Sequence, residues 1–213
     1  MKKVIAIFIL MLIIFGTFVL GMRLIKKTKK EKTYNSYCKI YGIYNNLKSY
    51  ISKIDVLVTS NLSSRNYCLK EYYKSPDKYR IDCVSPDEIK NLKYIFKRDE
   101  VVFFSPFSSE PITLNTIPVE KNCMFLGDFF KSYYETQTGI AKTNKKTTNE
   151  LVYETDVVRG CKRHFCQKLW FDKKTQLPLR LVTYDVNDKE VIRVEYTDFK
   201  LNENINDETF ENF

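Results

Sequence analysis

Histidine is almost absent from this chain of 213 residues, which has only His164. A histidine that activates a nucleophile needs a serine or cysteine within reach and an acid that orients it. The sequence contains no G-x-S-x-G elbow and no Cys-Gly signature. The basic residues around His164 are instead typical of a solvated turn. We therefore predict no enzyme activity and no catalytic residue.

Glycine is also scarce, and none of the six glycines belongs to a glycine-rich phosphate loop. Two pairs of acids, Asp82 with Asp87 and Asp185 with Asp188, raise the question of acid–base chemistry. All four fall in predicted turns or strand ends, where aspartate side chains accept hydrogen bonds from the local backbone. No cofactor is predicted.

Six cysteines raise the question of a metal site. The chain has no C-x-x-C pair, and Cys161, His164 and Cys166 are spaced poorly for zinc. We therefore predict no metal.

The same cysteines suit disulfides in an exported domain, where an even number is expected. A two-residue turn at Ser75-Pro76 would place Cys68 opposite Cys83, near bridging distance. Cys161 and Cys166 flank the next hairpin and could close it. The alternative is that the cysteines are free and buried as small apolar residues, which is common. The sequence leaves both possibilities open.

Positive charge is concentrated at one end of the chain. The formal net charge is +9, and residues 1–32 hold eight basic residues and one acid, a net +7. The other 181 residues therefore carry only +2 and show no basic stripe. This distribution argues against nucleic-acid binding by the folded domain and places the basic segment beside a membrane.

An uncharged run of 19 residues, Val4 to Met22, precedes most of that charge. It is longer than the apolar region of a secretory signal, about 7 to 15 residues, and close to the roughly 20 residues that span a bilayer. Val19-Leu20-Gly21 ends the run as a lipoprotein signal does, but Met22 stands where the lipidated cysteine would be. A thioether cannot be acylated, so we predict an uncleaved anchor over 4–22.

This prediction divides the N-terminal part into a short basic N-terminus (1–3), the anchor (4–22) and a basic juxtamembrane segment (23–32). The alternative is a cleaved signal peptide. More positive charge follows the anchor than precedes it, and that distribution alone would keep the C-terminal domain in the cytoplasm. We nevertheless expect export, because the family resemblance described below implies it.

Residues 33–213 are predicted to form one domain, in which strands dominate. Aromatic residues at helical spacing predict helices over 34–48 and 125–136, and 141–149 is predicted to be a loop. The fold class is α+β: a curved antiparallel sheet, or half-barrel, covered on one face by the two helices. The predicted strands are 50–59, 65–73, 78–84, 93–96, 101–104, 150–158, 164–172, 178–186 and 189–199.

Residues 169–210 resemble the C-terminal signature of the bacterial lipoprotein-carrier superfamily (LolA/LolB-like). In that pattern a strand ends in Asp, a Thr-x-Leu-Pro turn and a short hairpin follow, and Asn-x-x-Ile-x-x-x-x-Phe closes the chain. Residues 72–86 resemble the first hairpin of the same superfamily. Together with FLGDFFKSYYET (125–136) and the near-lipobox, these motifs look most like clostridial spore-germination lipoproteins of the GerS type.

The resemblance implies a LolA-like half-barrel and two candidate functions. The first is a non-enzymatic interaction protein that binds and supports a cell-wall (N-acetylmuramoyl-L-alanine) amidase of the spore cortex, so that germination can proceed. The second is a carrier or sensor that binds lipid acyl chains in the hollow of the half-barrel. In either case the domain would be membrane-anchored and exported, to the cell surface or the spore intermembrane space.

Two observations favour the interaction function. An anchored protein cannot leave its membrane as a shuttle must, and 15 Phe and 15 Tyr predict a hollow packed with rings. Open edge strands predict pairing with a partner or a homodimer. Tyr133 and Tyr134 are candidate interface residues, although an aromatic stripe on a helix more often belongs to the core.

Overall fold

The structure is a computed structural model that describes residues 2–97, 100–108, 110–115, 121, 123–136, 139–143, 149–158 and 161–211, with the side chains of 2–16, 29, 32, 33, 142 and 143 left aside. Two compact units make up the chain, Met1–Tyr41 and Gly42–Phe213.

The first element, α1, is a single helix from Lys2 to Asn45. The helix predicted over 34–48 is confirmed for residues 34–45, but it is not a separate element, because these residues form the last turns of α1. Residues 23–33 contain no proline and are rich in lysine, a good helix former, so nothing ends the helix between the apolar run and the aromatic stripe.

Among the described residues, none of the helices combines the length and the apolar character that a membrane crossing requires. The predicted anchor, 4–22, falls mostly on residues whose side chains lie outside the description. The anchor therefore stays a prediction.

The second unit is built on an antiparallel sheet of eleven described strands, so the predicted antiparallel sheet is confirmed. The N-terminal and C-terminal halves of the sheet meet where β1 pairs with β11, and β6 and β7 are the two edges. The spatial order is β6-β5-β4-β3-β2-β1-β11-β10-β9-β8-β7. The strands are β1 (Ser49–Thr59), β2 (Ser64–Lys74), β3 (Lys78–Ser85), β4 (Lys93–Lys97), β5 (Glu100–Phe104), β6 (Ile112–Leu114), β7 (Ile140–Thr143), β8 (Glu150–Asp156), β9 (Cys166–Asp172), β10 (Pro178–Tyr184) and β11 (Glu190–Leu201).

The nine predicted strands correspond to β1–β5 and β8–β11, and the helix predicted over 125–136 is α2 (Leu126–Glu135). The loop predicted over 141–149 is wrong in its first part, because β7 pairs with β8 from Ile140 opposite Glu154 onwards. Residues 141–143 have the composition of a loop, but their pairing with the largely buried strand β8 makes them a strand. Residues 144–148 lie outside the described residues.

The closing motif of the sequence has a packing role. Ile205 and Phe210 are its two apolar positions, and both are buried. Between them, the Asp207 carboxylate lies 2.7 Å from Lys74 Nζ and 2.9 Å from Lys78 Nζ. These contacts attach the C-terminal tail to the turn between β2 and β3.

Gly127 allows α2 to lie close to the sheet. A Cβ atom at this position would lie 2.9 Å from Cε2 of Tyr73, nearer than a side chain tolerates. The Tyr73 ring is itself enclosed, 5.3 Å from the ring of Tyr50 and 5.1 Å from that of Tyr79. It therefore has little room to move away.

We predict that Gly127→Ala lowers the free energy of unfolding by about 1–3 kcal/mol, because overpacking outweighs the gain of about 1 kcal/mol in helix propensity. Urea denaturation measures the change. Gly42→Ala is the matched control, since nothing lies within 4 Å of a Cβ there, and it should stabilise the chain. Equal stabilisation by both substitutions would contradict the close contact.

Candidate functional site

The face of the sheet that α2 covers, called the inner face here, is where a LolA-like carrier would hold its lipid. Aromatic rings occupy it. Phe125 lies 4.6 Å from the ring of Tyr79 and 5.6 Å from that of Phe96, measured between ring centroids. The rings with less than 2% of their surface exposed are Tyr50, Phe125, Phe129, Tyr153 and Phe171.

A second group of rings continues along the helix. Phe130 stacks on Tyr44 at 5.3 Å and lies 6.2 Å from both Tyr153 and Phe171. The alternation of buried and exposed positions along the strands directs these rings to one side of the sheet. The expectation that phenylalanine and tyrosine fill the inner face is therefore confirmed.

A carboxyl group lies among these rings. Glu71 is fully buried on β2, and its Oε1 accepts a hydrogen bond of 2.6 Å from the hydroxyl of Tyr50 on β1. Its second oxygen, Oε2, has no hydrogen-bond partner among the described residues. Burial raises the pKa of Glu71 to about 8, against the lowering effect of the Tyr50 hydrogen bond, and the charge of Asp128 adds to the increase.

A second buried carboxyl group, Asp128, lies in the first turn of α2. Its Oδ1 accepts a hydrogen bond of 2.9 Å from the Tyr79 hydroxyl, and its Oδ2 lies 3.3 Å from Lys121 Nζ. The same ammonium group lies 3.9 Å from the centre of the Tyr79 ring. Burial raises the pKa of Asp128, although Lys121 opposes the change.

Together these groups fix the start of α2 on the sheet. The Tyr50 hydroxyl accepts a hydrogen bond of 3.2 Å from the backbone N–H of Leu126, while it donates to Glu71. The hydroxyl of Tyr196, on β11, donates to the Met124 carbonyl at 3.2 Å. The Tyr50 hydroxyl therefore satisfies one of the N–H groups that the helix leaves without a partner at its N-terminus, and Tyr196 holds the residue before the N-cap.

Sequence reasoning missed both buried acids. Glu71 alternates with the buried Leu69 and Tyr73 on β2, so a charged residue at an inward position of a strand was the available signal. Asp128 was hidden in the aromatic stripe of the predicted helix. Neither acid forms part of a metal site, since no group of three or more His, Cys, Asp or Glu in the described part of the chain could hold an ion.

The candidate interface residues Tyr133 and Tyr134 lie on α2 and are half-buried. The ring of Tyr133 lies 5.5 Å from that of Tyr153, and the ring of Tyr134 lies 6.1 Å from that of Phe130. Both rings therefore extend the aromatic packing of the inner face. A role in binding a partner stays a prediction for them.

The predicted pairing of Cys68 with Cys83 rested on a two-residue turn, and that register is wrong. The turn has three residues, 75–77, because Lys74 pairs with Lys78. Cys83 consequently lies opposite Leu69, and Cys68 lies opposite Ser85. All six cysteines are free thiols in the structure, including the exposed Cys161 and the buried Cys166.

The predicted solvated turn at His164 is corrected in one respect. Backbone hydrogen bonds between Cys161 and His164 close the turn, but the His164 side chain is buried rather than solvated. Its Nδ1 lies 3.7 Å from the Cys161 sulfur. The imidazole therefore belongs to the packing of the loop between β8 and β9.

The predicted local roles of the paired aspartates are met in part. Asp185 accepts hydrogen bonds from the backbone N–H groups of Asn187 and Lys189, as expected in a turn. Asp82 instead pairs with Arg80 on the same strand, with 2.6 Å between Oδ1 and Nε.

Comparison with known proteins identifies the family. The family model for YdcC-like sporulation proteins matches residues 2–210. The chain belongs to this family. Among curated proteins, no sequence matches it.

Several solved structures are similar to this YdcC-like chain. An uncharacterised conserved protein from Thermus thermophilus shares 10% identity, with a TM-score of 0.53 over 84% of this chain and 94% of that one. A chain in the structure of the CwlD amidase from Clostridioides difficile in complex with the GerS lipoprotein gives 27% identity and a TM-score of 0.49, over 80% of this chain and 95% of that one. A LolA superfamily protein from Nitrosomonas europaea gives 14% identity and a TM-score of 0.47, over 84% and 96%.

The buried Glu71 predicts a specific dependence of stability on pH. Its pKa is higher in the folded chain, about 8, than its ordinary value of 4.5. The stability that this group contributes is therefore fully present below the ordinary value and is lost as the pH rises through the folded value. The loss amounts to about 1.4 kcal/mol per pH unit between the two.

We predict that Glu71→Gln reduces the slope of the unfolding free energy against pH by the contribution of about one proton. The amide still accepts a hydrogen bond from Tyr50, but it does not titrate. The measurement is the free energy of unfolding in urea between about pH 5 and pH 8, at intervals of about half a unit. The slope, not the absolute stability, is the readout. Glu203→Gln, at an exposed carboxylate, is the matched control and should keep the slope of the unmodified chain. An unchanged slope in Glu71→Gln would show that Glu71 is not the titrating group.

Proposed function

We propose that this chain is a non-enzymatic, membrane-anchored interaction protein that binds and supports a cell-wall N-acetylmuramoyl-L-alanine amidase during sporulation. Its folded domain would be exported, to the cell surface or the spore intermembrane space. The sporulation context rests on family membership. The partner is the one expected from the resemblance of residues 169–210, and the GerS lipoprotein is found in complex with the CwlD amidase.

The occupied inner face is the observation that carries this proposal against the alternative of an acyl-chain carrier. A carrier site needs an unfilled apolar cavity, of roughly 300–1,000 Å³ for a small ligand. Here Tyr50, Phe125 and Phe129 are fully buried on that face and in contact with other rings. An acyl chain would have to displace them, and the cavity of about 710 Å³ beside Phe96 is lined mostly by charged or polar side chains, such as Lys78 and Glu100. The working surface is therefore expected on the outside of the domain.

The edges of the sheet are the outside surfaces best suited to a partner. An edge strand presents backbone N–H and C=O groups that a second chain can pair with. On β6, Ile112 and Leu114 expose 50% and 47% of their surface, and on β7 Ile140 exposes 47%. The β6 edge is therefore the more apolar, and we assign the amidase to it, with homodimer pairing as the alternative use of an edge.

We predict that Ile112→Lys with Leu114→Lys weakens amidase binding by about tenfold or more, because charged side chains oppose strand addition and the lost apolar contacts are worth at least about 1.4 kcal/mol. The full chain, purified in detergent, is titrated with the amidase by calorimetry or biolayer interferometry. Ile140→Lys on the opposite edge is the matched control and should bind as the unmodified chain does.

Two results would contradict the proposal. The first is that the unmodified chain neither binds the amidase nor changes its hydrolysis of peptidoglycan. The second is that mass spectrometry recovers acyl chains in equal amount with the purified full chain, which would establish the carrier function instead. If only Ile140→Lys weakens binding, the amidase binds the β7 edge.

A further inference from the structure

Exposed apolar side chains in the loops of the second unit gather at one end of the sheet. That end contains the loops after β1, β3, β5, β8 and β10, since neighbouring strands run in opposite directions. The large apolar side chains exposed there are Leu62, Phe107, Phe165 and Val186. At the opposite end of the sheet, the C-terminal tail follows β11, and its apolar side chains Ile205 and Phe210 are buried.

Three of these loops form one surface. The Val186 N–H donates to the Lys162 carbonyl at 3.0 Å, and the Phe165 N–H donates to the Tyr184 carbonyl at 2.8 Å. A shallow cavity of about 290 Å³ joins this pair of loops to Ser60 and Asn61, in the turn that carries Leu62. We call this surface the tip patch; it consists of Leu62, Phe165, Val186, Lys162, Arg163 and Lys189.

The side chains of the tip patch project singly from turns. Leu62 exposes 98% of its surface, Phe165 49% and Val186 47%. Leu62 and Phe165 do not line the shallow cavity between the loops. They can enter the fluid boundary between lipid headgroups and acyl chains, which adapts to their shape.

The described residues of the loops that carry Phe165 and Val186 include three cations and two acids. Lys162, Arg163 and Lys189 are all exposed. Of the two acids in the same loops, Asp185 is held within its own turn by the N–H groups of Asn187 and Lys189, and Asp188 is exposed. Lysine and arginine beside apolar side chains are the combination that favours anionic lipid headgroups.

We propose that the tip patch contacts the surface of an anionic lipid bilayer. The patch shares no residue with the β6 edge, so the proposal goes beyond the proposed binding of an amidase. The patch lies past the last residue of β1, whereas the chain enters β1 from α1 at Ser49. Eleven residues of strand, about 35 Å, separate these two points.

The test places a tryptophan in the patch. The full chain carrying Leu62→Trp is reconstituted in vesicles of brominated phosphatidylcholine, either alone or with phosphatidylglycerol at about one lipid in three, enough to give an anionic surface. Fluorescence of the unmodified chain, which has one tryptophan, is subtracted. We expect the added tryptophan to be quenched by roughly half in the anionic vesicles, and the quenching to disappear in about 0.5 M NaCl, where the Debye length is about 4 Å.

Two controls separate the patch from its surroundings. Phe107→Trp places the probe at the same end of the sheet but outside the patch, and it should not be quenched. In the Leu62→Trp chain, Lys162→Gln with Arg163→Gln should reduce quenching at least about threefold, since each cation contributes near anionic lipid. The matched control, Lys48→Gln with Lys174→Gln, removes two lysines away from the patch and should leave the quenching unchanged.

Absence of quenching at position 62, or equal quenching at positions 62 and 107, would overturn the proposal. Loss of amidase binding in Leu62→Ser, together with absence of quenching in Leu62→Trp, would also overturn the proposal and would assign the patch to a protein. The lipid experiment contains no amidase. Its failure therefore leaves the proposed amidase binding intact, and a failure to bind the amidase leaves the lipid contact intact.

Discussion

The hydroxyl of Tyr50 joins parts of the chain that are far apart in sequence. It donates to the buried carboxyl of Glu71 on β2 and accepts from the backbone of Leu126 at the start of α2. Tyr79 and Tyr196 make the equivalent links to Asp128 and Met124. These hydrogen bonds lie among packed rings, where a polar group without a partner would be costly. They therefore determine where α2 can lie on the sheet.

The position of α2 determines what the inner face can do. With its first turn fixed, Phe125 and Phe130 pack against rings of the sheet and Phe129 is buried beside Phe130, so these rings have little freedom to move. The chain's own side chains therefore fill this part of the inner face. The edges of the sheet and the loops at its ends are where backbone groups and apolar side chains are exposed.

The sequence predicts the sheet well because its strands alternate clearly. Ile192, Val194 and Tyr196 point inward on β11, as the period of two requires. The errors arise where a long-range contact decides a local outcome. β7 exists because β8 is its neighbour, and the turn at 75–77 is one residue longer than the Ser75-Pro76 motif suggests. Composition cannot show either effect.

The candidate site was harder to predict for a related reason. Glu71, Asp128 and His164 are polar residues that are ordinarily exposed, and each is buried through contacts made by distant segments. Glu71 could be suspected from its inward position between Leu69 and Tyr73, but its partner Tyr50 lies on another strand. The residue types around His164 predicted a solvated turn. In the structure, the loop that carries His164 bonds the end of β10 through Phe165 and Tyr184, and the imidazole ring is buried.

The buried acids also bear on the choice between a carrier and an interaction protein. To admit an acyl chain, α2 would have to move away from the sheet, and this would break the bonds that Tyr50, Tyr79 and Tyr196 make with its first turn and the residues before it. Asp128 would lose its contacts with Lys121 and Tyr79, and each buried polar group left without a partner costs about 1–3 kcal/mol. Exposure of Phe125, Phe129 and Phe130 adds about 1.5–3 kcal/mol for each ring. A cover held in this way suits a rigid scaffold whose partners bind from outside.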